Sequence, residues 1–266
     1  MADNIYIELT RKFNSGKIRA IISSGQAVVL YKVSVMSKDG DWILREEPET
    51  LYHILNVLGD YGAVYRFGAP LDIRWLHSGW SSHFEFMHEN VRIRTDFCTQ
   101  PPRIGPKELE SIWDSQKKSD IPLIGLHSLI ELKKTNRERD YAVIGELSRL
   151  IPDEREQLLV SRSARDILRI AEQFPDEFQE AQIVRPCLAA ANQGREALEA
   201  ELDAERRQLM KVNEERLRSY MQSASAWREE WRTVKKEVEG SSLLEAHKHI
   251  CKRAEDLLPV NISENL

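Results

Sequence analysis

Asp39 and Asp41 stand two residues apart in the run from Val33 to Leu44, and two carboxylates at that spacing can do chemistry. On an extended strand, side chains at i and i+2 point to the same face. Carboxylates held that close repel each other unless a cation lies between them. Such a pair suits Mg²⁺, which is commonly held by one or two carboxylates plus the phosphate oxygens of a substrate. The same residues admit a second reading: Asp39-Gly40 between apolar runs is also a type I′ hairpin signal.

A third carboxylate, Asp96, closes the run Val91-Arg92-Ile93-Arg94-Thr95-Asp96-Phe97, whose alternation predicts a strand. Upstream, Ser23-Ser24-Gly25 follows a strand-like run, Lys17–Ile22, and precedes a helix-like one, Gln26–Tyr31. A small-residue turn between strand and helix leaves backbone N–H groups free for phosphate. The bland alternatives are a turn cap for Asp96 and a solvated helix face for Lys133-Lys134. His83, in Gly79-Trp80-Ser81-Ser82-His83-Phe84-Glu85, reads as structural rather than catalytic.

The elements that must carry these residues follow from punctuation and period. Pro48-Glu49-Thr50 opens a helix through Leu51, Ile54, Leu55 and Leu58 that Gly59 ends. Residues 63–97 read as extended, Pro101-Pro102 stops them, and Pro106 starts another helix. Helical spacing then runs from Leu126 to Leu150 and from Glu154 to Phe174, with Pro152, Pro175 and Pro186 as breaks.

After Gly194 a charged stretch continues to Gly240, with Leu217, Tyr220, Ala224, Trp227, Trp231, Val234 and Val238 as a heptad-like stripe. About 45 helical residues would span roughly 65–70 Å, so this helix must fold back on the chain or pack on a protein partner. The expected fold is α+β: a mixed sheet with flanking helices over 1–120, a helical region packed on it over 121–190, and a long charged helix or helical hairpin over 191–266.

Composition bounds the function. The 266 residues are 41% hydrophobic and 30% charged, which fits a folded soluble protein. No apolar run reaches membrane-span length, and Met1-Ala2-Asp3-Asn4 shows no secretory signal, so a cytoplasmic location without membrane partners is expected. The three cysteines, Cys98, Cys187 and Cys251, form no CxxC pair, and the seven histidines form no HExxH motif. A net charge of −5 without a long basic block gives no strong nucleic-acid-binding signal.

Turn, paired aspartates, then a lone aspartate: in this order the chain resembles the nucleotidyltransferase superfamily related to DNA polymerase beta. The likeness is to its small bacterial members, including abortive-infection-type toxins of toxin–antitoxin pairs. It covers about Ile18 to Leu150, and the segment Leu126–Tyr141 is similar to the helical signature that follows the core in that family. The resemblance implies that Asp39 and Asp41 bind two Mg²⁺ (or Mn²⁺) ions, with Asp96 on the catalytic one and placed to help deprotonate an acceptor hydroxyl. It implies that Ser23, Ser24 and Gly25 hold the triphosphate, with Lys133 or Lys134, Arg137 (or Arg139) and Asp140 completing the nucleotide site. Three departures stand out: Ser24 where the family has a glycine, Val35-Met36 where an arginine is common, and Gly40 between the aspartates.

The activity so implied is Mg²⁺-dependent transfer of a nucleoside monophosphate from an NTP to an unidentified acceptor. That acceptor is an RNA, a protein or a small molecule, and a toxin role goes with the family. The alternative is a catalytically inactive protein of the same fold that binds a partner through its C-terminal helix.

Overall fold

The computed structural model describes residues 4–116 and 119–262, which fall into two units. The first contains the residues up to Leu30, Ser34–Ile124 and those from Arg218 on; the second contains Tyr31–Val33 and Gly125–Leu217.

In the first unit, α1 (Ile5–Phe13) leads to β1 (Ala20–Ser23), α2 (Ser24–Leu30), β2 (Asp39–Leu44) and α3 (Pro48–Asp60). There follow β3 (Val64–Tyr65), α4 (Ile73–Leu76), β4 (Ser82–His88), β5 (Val91–Cys98) and α5 (Pro106–Ser115). The strands form one sheet in the order β1-β2-β5-β4-β3. β2 and β5 run parallel and the other pairs are antiparallel. The class is α+β with a mixed sheet, as the sequence predicts.

Alternation along the strands gives the sheet two different faces. Trp42, Leu44, Phe97, Phe84 and Phe86 look into the core with Leu9, Phe13, Leu51, Ile54 and Leu58 of α1 and α3. Trp42 anchors β2 there. Its ring stacks on Phe97 at 5.5 Å, meets Phe13 edge-on at 5.2 Å, and its Nε1 donates to Thr10 Oγ1 at 2.9 Å. The residues between these, Asp39, Asp41, Asp96 and His83, take the opposite face.

Asp39-Gly40 is therefore strand, and the hairpin reading is corrected. The reason lies in packing: a Cβ at Gly40 would run into the Tyr6 ring and come within 2.5 Å of Trp42 Cη2. Glycine here makes room for two aromatic rings over β2, and the ladder to β1 and β5 supplies the pairing that glycine's poor strand preference does not.

The second unit contains α6 (Leu126–Lys133), α7 (Glu138–Ser148), α8 (Glu154–Val160), α9 (Ala164–Gln173), α10 (Pro175–Val184) and a 3₁₀ segment, Pro186–Gln193. The periodic stretch 126–150 is broken at Lys134–Arg137, where Thr135 Oγ1 donates to Asp140 Oδ2 at 2.6 Å and accepts from the Arg137 N–H. Leu158, Ile167, Ile170, Phe178, Leu188, Leu198 and Leu202 form this unit's own core.

The charged stretch is two helices, α11 (Arg195–Ser223) and α12 (Ser225–Glu237), separated at Ala224. Its stripe does not face solvent throughout: Ala224, Trp227 and Val234 lie in the core of the first unit, with Tyr220, Trp231 and Val238 packed against it. Leu217 is 40% exposed. A turn through Gly240, at φ +81°, leads to α13 (Leu243–Leu257), whose start is fixed by a Ser242/Glu245 capping box. Among the described residues no helix is long and apolar enough to cross a membrane.

Candidate active site

Strand register sets the site. Ser23 of β1 lies opposite Asp41 of β2, Asp41 opposite Asp96 of β5, and Asp96 opposite His83 of β4. Four strands thus contribute one row, Ser23-Asp41-Asp96-His83, with neighbours about 4.8 Å apart along the sheet. Asp39 sits two residues from Asp41 on the same face, opposite Arg94, which is opposite Glu85. The structure brings the three predicted carboxylates together on adjacent parallel strands.

Their surroundings differ. Asp96 is held from two sides: His83 Nδ1 lies 2.8 Å from its Oδ1, and Arg66 Nη1 donates to the same oxygen at 3.3 Å. Asp39 is less compensated, with Arg94 Nη1 at 3.8 Å from Oδ1 and no hydrogen bond to that buried oxygen. The hydroxyl of Tyr6 registers the resulting negative field. Burial first, then the charge of Asp39, with smaller effects from Asp41 and Asp96, pushes its pKa up to about 12. Protonated, it donates to the Lys38 carbonyl at 2.8 Å, just ahead of the aspartate pair.

β1 ends at Ser23 and α2 begins directly at Ser24, with no separate turn between them, and this junction is tied to the same strand. Ser24 adopts a left-handed φ of +49°, the conformation that glycine takes without cost. A side chain at Gly25 would collide with the Ser37 hydroxyl. Gln26 Nε2 donates to the Ser37 carbonyl at 3.0 Å, and Ser37 Oγ donates to the Asp39 carbonyl at 3.1 Å. Ser23 Oγ, itself buried, donates to the Asp41 carbonyl at 3.2 Å. The junction and the start of β2 are thus one hydrogen-bonded assembly.

Lys133, Lys134, Arg137 and Asp140 form a cluster of their own within the second unit. Asp140 is its buried hub, with Arg137 Nη2 at 2.8 Å and Lys133 Nζ at 3.8 Å. Lys134 is paired with Glu131.

No protein-family model and no curated protein matches the chain. One solved structure does, a candidate nucleotidyltransferase from H. pylori. It is 15% identical, with a TM-score of 0.41, and the match covers 79% of this chain and 96% of that one.

The donor chemistry of the row fits a hard divalent cation: carboxylate oxygens on one face, one of them buried without a hydrogen bond. Among the described residues no three or more His, Cys, Asp and Glu side chains close around a single metal position. A fit here is of the kind that substrate phosphate oxygens complete.

Sequence reasoning missed Arg66 and Tyr6. It singled out His83 and read it as structural; its contact with Asp96 is what the strand pairing adds. Arg66 and Tyr6 come from outside the long strands, and no local pattern marks them. Elsewhere in the first unit, Cys251, His247 and Asp72 lie close enough to imitate a nucleophile and its base. Burial pushes the Cys251 thiol to about 12, so it stays protonated and inert.

Proposed function

We propose that this protein transfers a nucleoside monophosphate from an NTP to an acceptor hydroxyl. The observation that carries the reading is the pairing of Asp41 with Asp96 across parallel strands, with Asp39 on the same face. Asp39 and Asp41 are the residues that would hold the divalent cation, Mg²⁺ or Mn²⁺. When bound, it supplies charge neutralisation for the phosphates and lowers the pKa of a coordinated hydroxyl.

The chain's own residues do the rest. Asp96, steadied by His83 and Arg66, orients the acceptor hydroxyl and draws its proton. The acceptor oxygen forms a bond to the α-phosphorus as the bond to pyrophosphate breaks, and the pyrophosphate leaves with the electron pair. Ser23, Ser24 and Gly25 are assigned to the triphosphate, and Lys133, Lys134, Arg137 and Asp140 to the nucleotide, by resemblance to the family. A role as the toxin of a toxin–antitoxin pair stands on the same resemblance.

The test is label transfer from each α-³²P NTP, with Mg²⁺, into a cell extract, using wild type beside the Asp39→Ala/Asp41→Ala double variant. Label with wild type alone supports the proposal, and its mobility on a gel tells RNA, protein and small acceptors apart. No label from folded protein with any nucleotide counts against it. Growth arrest on expression, lost in the double variant, would support the toxin role; normal growth would remove it.

A second reading, a binding module of this fold without turnover, is favoured by Val212 and Leu217, which leave the second unit's part of α11 with apolar side chains in solvent. Loss of partner capture from an extract by a Val212→Lys/Leu217→Lys variant, with label transfer absent throughout, would support it.

A further inference from the structure

A cavity of about 400 Å³ lies in the first unit between the edge strand β3 and the turn joining α12 to α13. Its volume falls in the range of small-molecule sites. Its walls are apolar: Tyr65 from β3, Trp231 and Val238 from α12 and the turn, and Leu243, Ala246 and Ile250 from α13. β3 is the sheet edge furthest from β1, and β5 and β4 separate it from β2. None of the cavity's lining residues belongs to the carboxylate row.

Three cations, Arg232, Lys235 and Lys236, stand on the cavity's lining, and all three are exposed. Among the described residues no ion pair holds any of them. Of the other basic residues of this helix pair, Arg253 bridges Glu230 and Glu237 and His249 pairs with Glu237. Glu239 is the one acidic residue on the lining. The lining therefore keeps a cationic excess of two above an apolar floor, in a chain whose net charge is −5.

We infer that this cavity binds a small amphipathic anion, its apolar body against Trp231, Leu243, Ala246 and Ile250 and its acidic head at Arg232, Lys235 and Lys236. Burial of the body supplies the affinity, and the cations select a carboxylate or phosphate head over a neutral one. The shared chemistry is an acyl or aromatic chain with an anionic head, taken as a free molecule rather than from a lipid surface.

The test uses the full-length protein and decanoate below its micelle-forming concentration, followed by quenching of tryptophan fluorescence and by calorimetry. Decanol carries the same chain without the charge, and acetate the charge without the chain. Saturable one-to-one binding of decanoate is expected, at least tenfold tighter than decanol, with acetate inert. Lys235→Glu/Lys236→Glu, on exposed positions that leave the fold alone, should weaken decanoate at least tenfold. Ala246→Phe should block it by filling the cavity. Absence of saturable binding, equal affinity for decanol, or indifference to both variants would overturn the inference. So would sedimentation with anionic vesicles in place of binding to free decanoate. The outcome is independent of nucleotide transfer.

Discussion

His83 Nδ1 lies 2.8 Å from Asp96 Oδ1, on the neighbouring antiparallel strand and on the face that carries all three aspartates. The contact is itself positioned. The His83 ring packs against Gly68, where a Cβ would collide with Cδ2 and come within 3.0 Å of the Ser81 carbonyl. The Gly68 carbonyl in turn accepts from Trp227 Nε1 at 2.8 Å. A buried tryptophan of the C-terminal helices is thus connected through three contacts to a candidate catalytic carboxylate.

Removing that support should cost activity without unfolding the protein. His83→Ala is expected to lower label transfer by about 10–100-fold, the usual effect of losing the residue that orients a liganding carboxylate. Its melting temperature should stay near that of wild type, and His83→Gln should recover part of the loss. Full transfer by the alanine variant would make the contact incidental.

Gly40 tests whether β2 is held as described. Gly40→Ala should destabilise by about 1–3 kcal/mol, because the added methyl must displace the rings of Tyr6 and Trp42. Urea denaturation at unchanged slope would measure it. A tolerated alanine would mean that the packing over β2 is looser than the contacts imply.

Ser24 carries a cost that its neighbours do not. A non-glycine residue in the left-handed region is disfavoured by about 1–2 kcal/mol, partly offset by glycine's greater freedom when unfolded. Ser24→Gly should therefore stabilise by up to about 1 kcal/mol, and Ser24→Val should destabilise. The reverse order in denaturation midpoints would contradict the φ of +49°.

Much of this arrangement was legible in the chain. The alternation from Val91 to Phe97 and the proline that opens α3 were local signals, and each became the element it announced; at Ser23–Gly25 the strand-to-helix change is there, but the helix starts at Ser24 and leaves no turn between. Asp39-Gly40 was ambiguous because its decisive partners, Tyr6 and Trp42, meet only after the sheet has formed. The support of Asp96 by Arg66 and His83 was hidden for the same reason: register between strands selects such contacts, and no spacing along one strand encodes it. The charged stretch misled by continuity. Its period holds across Ala224, and only burial shows that the stripe from Tyr220 onward belongs to the core of the sheet unit.

Alkaline stability should expose Tyr6. Above pH 10 an unfolded tyrosine releases its proton, while Tyr6, with its pKa raised to about 12, still keeps its own. The folded state then binds more protons than the unfolded one, so stability falls as pH rises from about 10 to 12. Tyr6→Phe loses the bond to the Lys38 carbonyl, worth about 1 kcal/mol, and should show a shallower decline across that window. Parallel curves for the two proteins would mean that the Tyr6 hydroxyl is not the group responsible.

The aspartate row should trade stability for binding. Without a cation, Asp39, Asp41 and Asp96 share one face, and a buried oxygen of Asp39 lacks a hydrogen bond. Like charges paired across strands are destabilising, by an amount on the order of 0.2–1 kcal/mol. Asp39→Asn should accordingly raise the melting temperature of the protein in chelator. Mg²⁺ with a non-hydrolysable NTP analogue should reverse the ranking: at a hundredfold excess over its dissociation constant it stabilises wild type by about 2.7 kcal/mol, and the variant by much less. A variant that is less stable in chelator would show that the aspartates are structural. An equal shift in both proteins would place the nucleotide elsewhere, and with it the chemistry.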